Sequence, residues 1–213
     1  MNTMPDNAMT AGNSPQGLRH TVGNAILGLV LRIPASREHK VAQADARART
    51  LARTAARQAS LMAGSLALPP GVPGWLTIVP ELVGVWKLQA QMVSDIAAAY
   101  GKTASLGREQ MLYCLFKHVS AQLFRDVVVR VGERYLVRRA SLGFMQSAAQ
   151  ALGVKLTQRL ISKSVARLVP LVGALGVGAY AYFDTRQVAQ TAIALFSKDI
   201  IPAPGDSEPG EGP

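Results

Sequence analysis

Residues 80–101 read PELVGVWKLQAQMVSDIAAAYG, and the spacing of their apolar side chains decides the fold. Leu82, Val85, Trp86, Met92, Val93, Ile96 and Tyr100 recur at intervals that place them on one face of an α-helix. Pro80 suits a first turn, where its missing N–H costs nothing, and Glu81 is favoured there by the helix dipole. Gly101 ends the stretch as a natural C-cap. The pattern predicts a helix from Pro80 to Gly101 whose apolar stripe must find helical partners.

Immediately upstream, 23 residues from Gln58 to Pro80 carry no charge. A second uncharged run, of 16 residues, extends from Leu168 to Phe183. Pro69, Pro70, Gly71, Pro73 and Gly74 forbid a continuous helix through the first run, so the chain turns between Leu66 and Pro80. Spanning a bilayer takes about 20 consecutive apolar residues, whereas runs of about 10–14 are more often buried or re-entrant. The first run is long enough only if four prolines are ignored, and the second is short unless Arg167 snorkels. A buried core hairpin, a re-entrant or interfacial insertion and a full span all remain open, with length favouring the core. Gly173, Ala174, Gly176, Gly178 and Ala179 form a small-residue surface suited to close helix contact in either setting. The glycine spacing 173, 176, 178 follows no strand and is not a dinucleotide loop.

Further out, Leu18–Leu31 places Val22, Ile26, Leu29 and Val30 on one face of a short helix ending before Pro34. Ser36 is a suitable N-cap for a second helix reaching about Leu66, with Val41, Ala44, Ala48, Leu51, Ala55, Ala59 and Met62 inward and Arg49, Arg53 and Arg57 outward. Helical spacing resumes near Arg108 through Met111, Leu112, Leu115, Phe116, Val119 and Leu123. Val127-Val128-Val129 has strand character, but Val128, Val131, Tyr135 and Leu136 keep helical spacing and favour a helix there too. Another helix is expected over Phe144–Leu168, with Lys155, Arg159, Lys163 and Arg167 as its positive residues. Pro170 breaks it, and Leu171–Lys198 follows as a final apolar helix or hairpin. Residues 1–17 and 199–213 read as disordered, the latter acidic.

The whole is an all-α chain: one helical, bundle-like domain over 18–198, holding Gly/Pro-broken apolar hairpins between disordered termini. Its 213 residues suffice for one sizeable core. Aromatic residues make up only 6%, which favours helices over strands. Charged residues are 17% against a usual value of about 25%, so much of the chain is buried or meets a bilayer. No basic, apolar leader opens the sequence, and the lone Cys114 cannot make an internal disulfide, which together point to a cytoplasmic setting.

Several short motifs resemble one family. The Pro/Gly-broken apolar turn, the acid-led helix ending Ala97-Ala98-Ala99-Tyr100-Gly101, and Val169-Pro170-Leu171-Val172-Gly173 leading into Tyr182-Phe183-Asp184-Thr185-Arg186 resemble the EcsC-like bacterial proteins over roughly residues 50–197. The pattern is loosely shared with the helical C-terminal domain of YcjF-type, GTPase-associated membrane proteins. The chain departs from it in lacking an asparagine near Tyr180–Asp184 and in having Gln187 where a second arginine is usual. The resemblance implies an all-helical protein, peripheral to or partly inserted in the inner membrane, set beside an export process and without established catalysis. It supplies no active site to carry over.

Charge sets the choice of partner. The net charge is +10, with 11 basic and 3 acidic residues from Arg108 to Arg167 and 8 basic and 2 acidic from Arg19 to Arg57. Basic segments gain about 1 kcal/mol per Lys or Arg beside an anionic leaflet. Nucleic acid would attract the same charges, and the plain alternative is a solvated helix face. No zinc-finger spacing, aromatic RNA motif or clear helix-turn-helix favours nucleic acid. Arg49, Arg53, Arg57, Arg159, Lys163 and Arg167 are therefore the candidate basic surface for an anionic membrane or a membrane protein. Leu68, Trp75, Leu76 and Trp86, around the turn, are the candidate membrane or partner contacts, although tryptophans are equally at home in helical cores.

Chemistry is sparse. Cys114 and His118 share a predicted face, but a structural metal site takes four ligands and no second pair lies nearby. Glu81 and Asp95 are too far apart along a helix for acid/base partnership. Glu81 and Asp184 are the polar points in apolar settings, and Asp184 is expected at a water boundary paired with an arginine such as Arg186. No catalytic residue, cofactor or metal is expected. The sequence points to a membrane-associated binding protein, with a soluble module that docks protein or nucleic acid through a basic face as the alternative.

Overall fold

The computed structural model describes residues 15–66, 74–124, 128–131, 134–137, 140–163, 170–198 and 200–201. Six α-helices occur among them: α1 (Pro15–Val30), α2 (Ala44–Leu66), α3 (Gly74–Ala99), α4 (Arg108–Phe116), α5 (Leu142–Lys163) and α6 (Pro170–Phe196). Three short strands, β1 (Val128–Val131), β2 (Arg134–Val137) and β3 (Ile200–Ile201), complete a domain that is all-α in character.

α3 is the central rod. Val85, Trp86, Met92, Val93 and Ile96 are buried, and Trp86 meets Phe116 of α4 edge to face at 5.4 Å between ring centroids. At its C-terminal end Gly101 takes φ +70°, and the N–H groups of Gly101 and Lys102 return to the carbonyls of Ala98 and Ala97 at 2.7 and 2.8 Å. The C-cap stands where glycine predicted it. The start does not. The helix begins at Gly74, so Pro80 sits inside it past the first turn, where it leaves the Leu76 carbonyl without its amide donor.

α2 runs antiparallel to α3 and to α6. Ser60 lies beside Gly178, and the level of Ala52 on α2 matches that of Ala189 on α6. Ala48, Ala52, Ala55, Ala56, Ala59 and Ala63 are buried, so the small inward face of α2 allows the three rods to close. The start of α2 also differs from expectation. Residues 33–41 are non-helical and run past the C-terminal end of α3. There the Ser36 hydroxyl donates to Asp95 Oδ1 at 2.6 Å, and the Val41 amide donates to the Ala99 carbonyl. Tertiary hydrogen bonding has taken the side chain that would have capped a helix, and Val41 lies outside the core.

A second pair, α1 and α5, packs against this layer through Val22, Ile26, Val30, Met145, Ala148, Ala149 and Leu152, all buried. Gly23 and Gly153 mark their crossing, where a β-carbon on Gly153 would stand 2.7 Å from the Arg19 carbonyl oxygen. α1 starts before Leu18, so residues 15–17 are helical. Residues 1–14, 199 and 202–213, expected to be disordered, lie outside the described set.

The helix expected through Val127–Leu136 is replaced by a hairpin. Val128 pairs with Val137 and Val131 with Arg134 in an antiparallel ladder, and Ile200–Ile201 adds a parallel third strand beside β2. The partner strand thought to be missing is the segment six residues further on. α6 is one continuous helix over Pro170–Phe196 rather than a hairpin, with Pro170 as its first residue.

Candidate functional site

Two uncharged runs, far apart in sequence, meet at one end of the α2/α3/α6 layer. The C-terminal end of α2, the N-terminal end of α3 and the N-terminal half of α6 share a small core of Ala59, Ala63, Val85 and Ala181, with Met62, Leu88 and Val177 packed against it. Gly178 permits the approach, since its α-carbon faces the Ser60 carbonyl where a β-carbon would sit at 3.0 Å, and Gly84 lies beside the Met62 thioether. Of the small-residue surface expected on α6, Gly178 serves this contact, whereas Gly176 and Ala179 are exposed.

Large apolar side chains remain outside that core. Leu61 on α2 is 74% exposed, and Leu175 and Phe183 on α6 are 71% and 65% exposed. Tyr180 is also exposed, and the Tyr182 and Phe183 rings stack edge to face at 5.6 Å. Leu61 extends the line Arg49, Arg53, Arg57 at intervals of four, so one flank of α2 changes from cationic to apolar where the first uncharged run begins. The three arginines are exposed, as their spacing predicted.

The expected contact residues fare differently. Trp86 is 5% exposed and belongs to the main core, so it is corrected from a surface contact to a packing residue. Edge-to-face stacking on Phe116 removes its ring from any interface. Leu68 and Arg167 lie outside the described residues. The backbones of Trp75, Leu76, Glu81, Arg159 and Lys163 lie on α3 and α5, and their side chains are outside the described set.

Asp184 is part-buried against His118 and Gln89 instead of pairing with Arg186. His118 Nε2 lies 2.8 Å from Asp184 Oδ1, and Gln89 Nε2 donates to Asp184 Oδ2 at 2.8 Å and to the Thr185 hydroxyl at 3.1 Å. Arg186 turns the other way, its Nη1 donating to the Tyr182 hydroxyl at 3.4 Å. The network ties α3, α6 and the end of α4 together, which accounts for an acid beside an apolar run better than a surface ion pair does. It also draws His118 away from Cys114, whose thiol is fully buried and pushed well above the usual thiol range by loss of solvent. Neither arrangement presents a nucleophile to solvent. Among the described residues, no three His, Cys, Asp or Glu side chains gather as a metal site, and no helix is long and apolar enough to cross a membrane.

No protein-family model, curated protein or solved structure matches the chain.

Proposed function

We propose that the protein is a membrane-associated helical protein that acts by binding, docking on an anionic bilayer through the uncharged end of the α2/α3/α6 layer. The observation that carries this reading is the exposure of Leu61 and Leu175 at that end, followed along α6 by Phe183, with Arg49, Arg53 and Arg57 behind Leu61 on the same flank of α2. Fully burying a side chain of this size gains about 1.5–3 kcal/mol, and each basic residue near an anionic surface about 1 kcal/mol. Three apolar side chains and three arginines therefore supply several kcal/mol, in the range of reversible docking rather than permanent insertion. The apolar side chains enter the interface while the rest of the bundle stays in water. The cytoplasmic leaflet, with its anionic lipids, fits the net charge of +10. An export or envelope process is the setting that the EcsC-like resemblance suggests.

Co-sedimentation with vesicles of phosphatidylcholine and phosphatidylglycerol tests the reading. The protein pellets with vesicles containing phosphatidylglycerol and much less with pure phosphatidylcholine, and a 1 M salt wash releases part of it, because salt screens the arginines and leaves apolar contacts intact. Leu61→Glu combined with Phe183→Glu lowers binding about tenfold or more, as two apolar contacts worth more than 1 kcal/mol each disappear. Protein that stays in the supernatant with anionic vesicles at low salt would overturn the reading in favour of a soluble docking module.

A further inference from the structure

Behind the uncharged end, α2 and α6 leave an open groove of about 360 Å³ between them. Its floor is Ala52, Ala189, Ile193 and Ala194, and its rim carries Arg49 and Arg53 from α2 with Arg186 and Gln190 from α6. Among the described residues, no carboxylate lines it. The acids nearest along these two helices are engaged elsewhere: Asp45 accepts from the Tyr100 hydroxyl, and Asp184 is held by His118 and Gln89. Among the described residues, none of the three guanidinium groups makes an ion pair. Three cations thus line an apolar floor, with no ion-pair partner among the described residues.

Such a rim calls for a ligand with several anionic oxygens. Guanidinium forks match phosphate oxygens bidentately, and an apolar floor adds attraction for carbon attached to that phosphate. The volume lies at the small end of ligand sites, enough for a phosphate with its glycerol but not for two acyl chains.

Depth selects the source of that phosphate. At a rise of about 1.5 Å per residue, Arg53 and Arg49 stand about 12 and 18 Å behind Leu61 on α2, and Arg186 about 16 Å behind Leu175 on α6. An apolar helix end sinks about 5–10 Å into the boundary, and the headgroup layer above the hydrocarbon is about 5–8 Å thick. With Leu61 and Leu175 about 5–10 Å deep, Arg53, Arg186 and Arg49 come to about 2–7, 6–11 and 8–13 Å above the hydrocarbon, so the site runs through the headgroup layer from Arg53 at its base to Arg49 at its outer edge. We propose that the groove formed by Arg49, Arg53 and Arg186 is a binding site for the phosphate headgroup of a membrane phospholipid. This rests on the docking orientation proposed above and assigns the ligand of the same surface.

Two measurements separate the groove from the docking. In the first, the Arg49→Gln, Arg53→Gln, Arg186→Gln triple variant is compared on phosphatidylglycerol vesicles with Arg32→Gln, Arg37→Gln, Arg108→Gln. The second set removes the same charge from exposed positions outside the groove, Arg32 and Arg37 flanking the segment beside Gln91 and Asp95. The groove variant loses about a hundredfold in affinity and the control less than about tenfold, as three arginines at the surface are worth more than three far from it. Equal losses would overturn the site while leaving vesicle docking intact. In the second, the arginine Nε–H signals of the wild type are followed by NMR with dihexanoyl phosphatidylglycerol below its micelle concentration, with inorganic phosphate and with a short DNA duplex. Shifts of Arg49, Arg53 and Arg186 with the soluble lipid support the site even if the protein fails to pellet. Shifts with inorganic phosphate or DNA and none with the lipid would overturn it.

Discussion

Cys114 shows what burial does to a single side chain. Loss of solvent raises its thiol above the ordinary range, and Lys117 opposes this only in part. A folded-state pKa above the unfolded value means that the unfolded chain loses its proton first as pH rises. The stability tied to this thiol is therefore complete below about pH 8.5, the unfolded value, and declines above it. Tyr100 behaves alike at higher pH, because burial and its hydrogen bond to Asp45 raise its phenol, so its share declines above about pH 10. Urea denaturation between pH 7 and 9.5 is expected to show falling stability, with a shallower fall in Cys114→Ala after allowance for the cavity. An unchanged slope in that variant would mean that the thiol is not the group responsible. In the same fold, Cys114 resists alkylation at neutral pH until the protein is unfolded, which mass spectrometry reads directly.

Elements differ in how far sequence alone discloses them. The stripe of α3 and its Gly101 cap were legible, because a rod buried along one face repeats its apolar residues and ends on a glycine with positive φ. The hairpin was not, since Val128, Val131, Tyr135 and Leu136 satisfy helical spacing as well as strand alternation. The signal that separates them is the pair Gly132-Glu133 between Val127-Val128-Val129 and Tyr135-Leu136-Val137, a glycine-led dipeptide typical of tight hairpins. Ser36 misled for another reason: its hydroxyl accepts from the Glu38 amide as a local cap would, but it donates to Asp95, 59 residues away, and local rules cannot see that bond. Of the candidate surface, Arg49, Arg53 and Arg57 were readable from their spacing. The contribution of Arg186 was hidden because it depends on α2 and α6 running antiparallel in one register. Packing at element scale makes its own prediction. Gly153→Ala places a methyl 2.7 Å from the Arg19 carbonyl oxygen and 3.2 Å from the Gly23 α-carbon, so α1 and α5 must move apart. A loss of about 1–3 kcal/mol is expected, read as a lower midpoint in thermal unfolding followed by circular dichroism. A variant as stable as the wild type would show that the two helices are not held at this distance.

At the scale of the whole molecule, polarity is sorted along one axis. The most exposed apolar side chains, Leu61 and Leu175, stand where α2 ends and α6 begins, with Tyr180 and Phe183 further along α6, whereas the hydrogen bonds of Ser36, Gln91 and Asp95 gather where α3 ends. The part-buried cluster of His118, Asp184, Gln89 and Thr185 lies between them and fixes how far α6 can slide along α3. Displacing α6 by one turn would strand a carboxylate in the core, at a cost of several kcal/mol.

Beyond α6 the chain doubles back, and Ile200 and Ile201 settle against Tyr135 and Leu136 as the last strand of the sheet. Those two residues act as a seal on what would otherwise be a bare rim of amides and carbonyls on β2. A tag fused after residue 201 leaves the seal in place, but a chain stopped at Lys198 removes it. Such a shortened protein is expected to recruit a second copy at the open rim, visible as larger species in analytical ultracentrifugation, and a wholly monomeric product would show that the rim needs no cover.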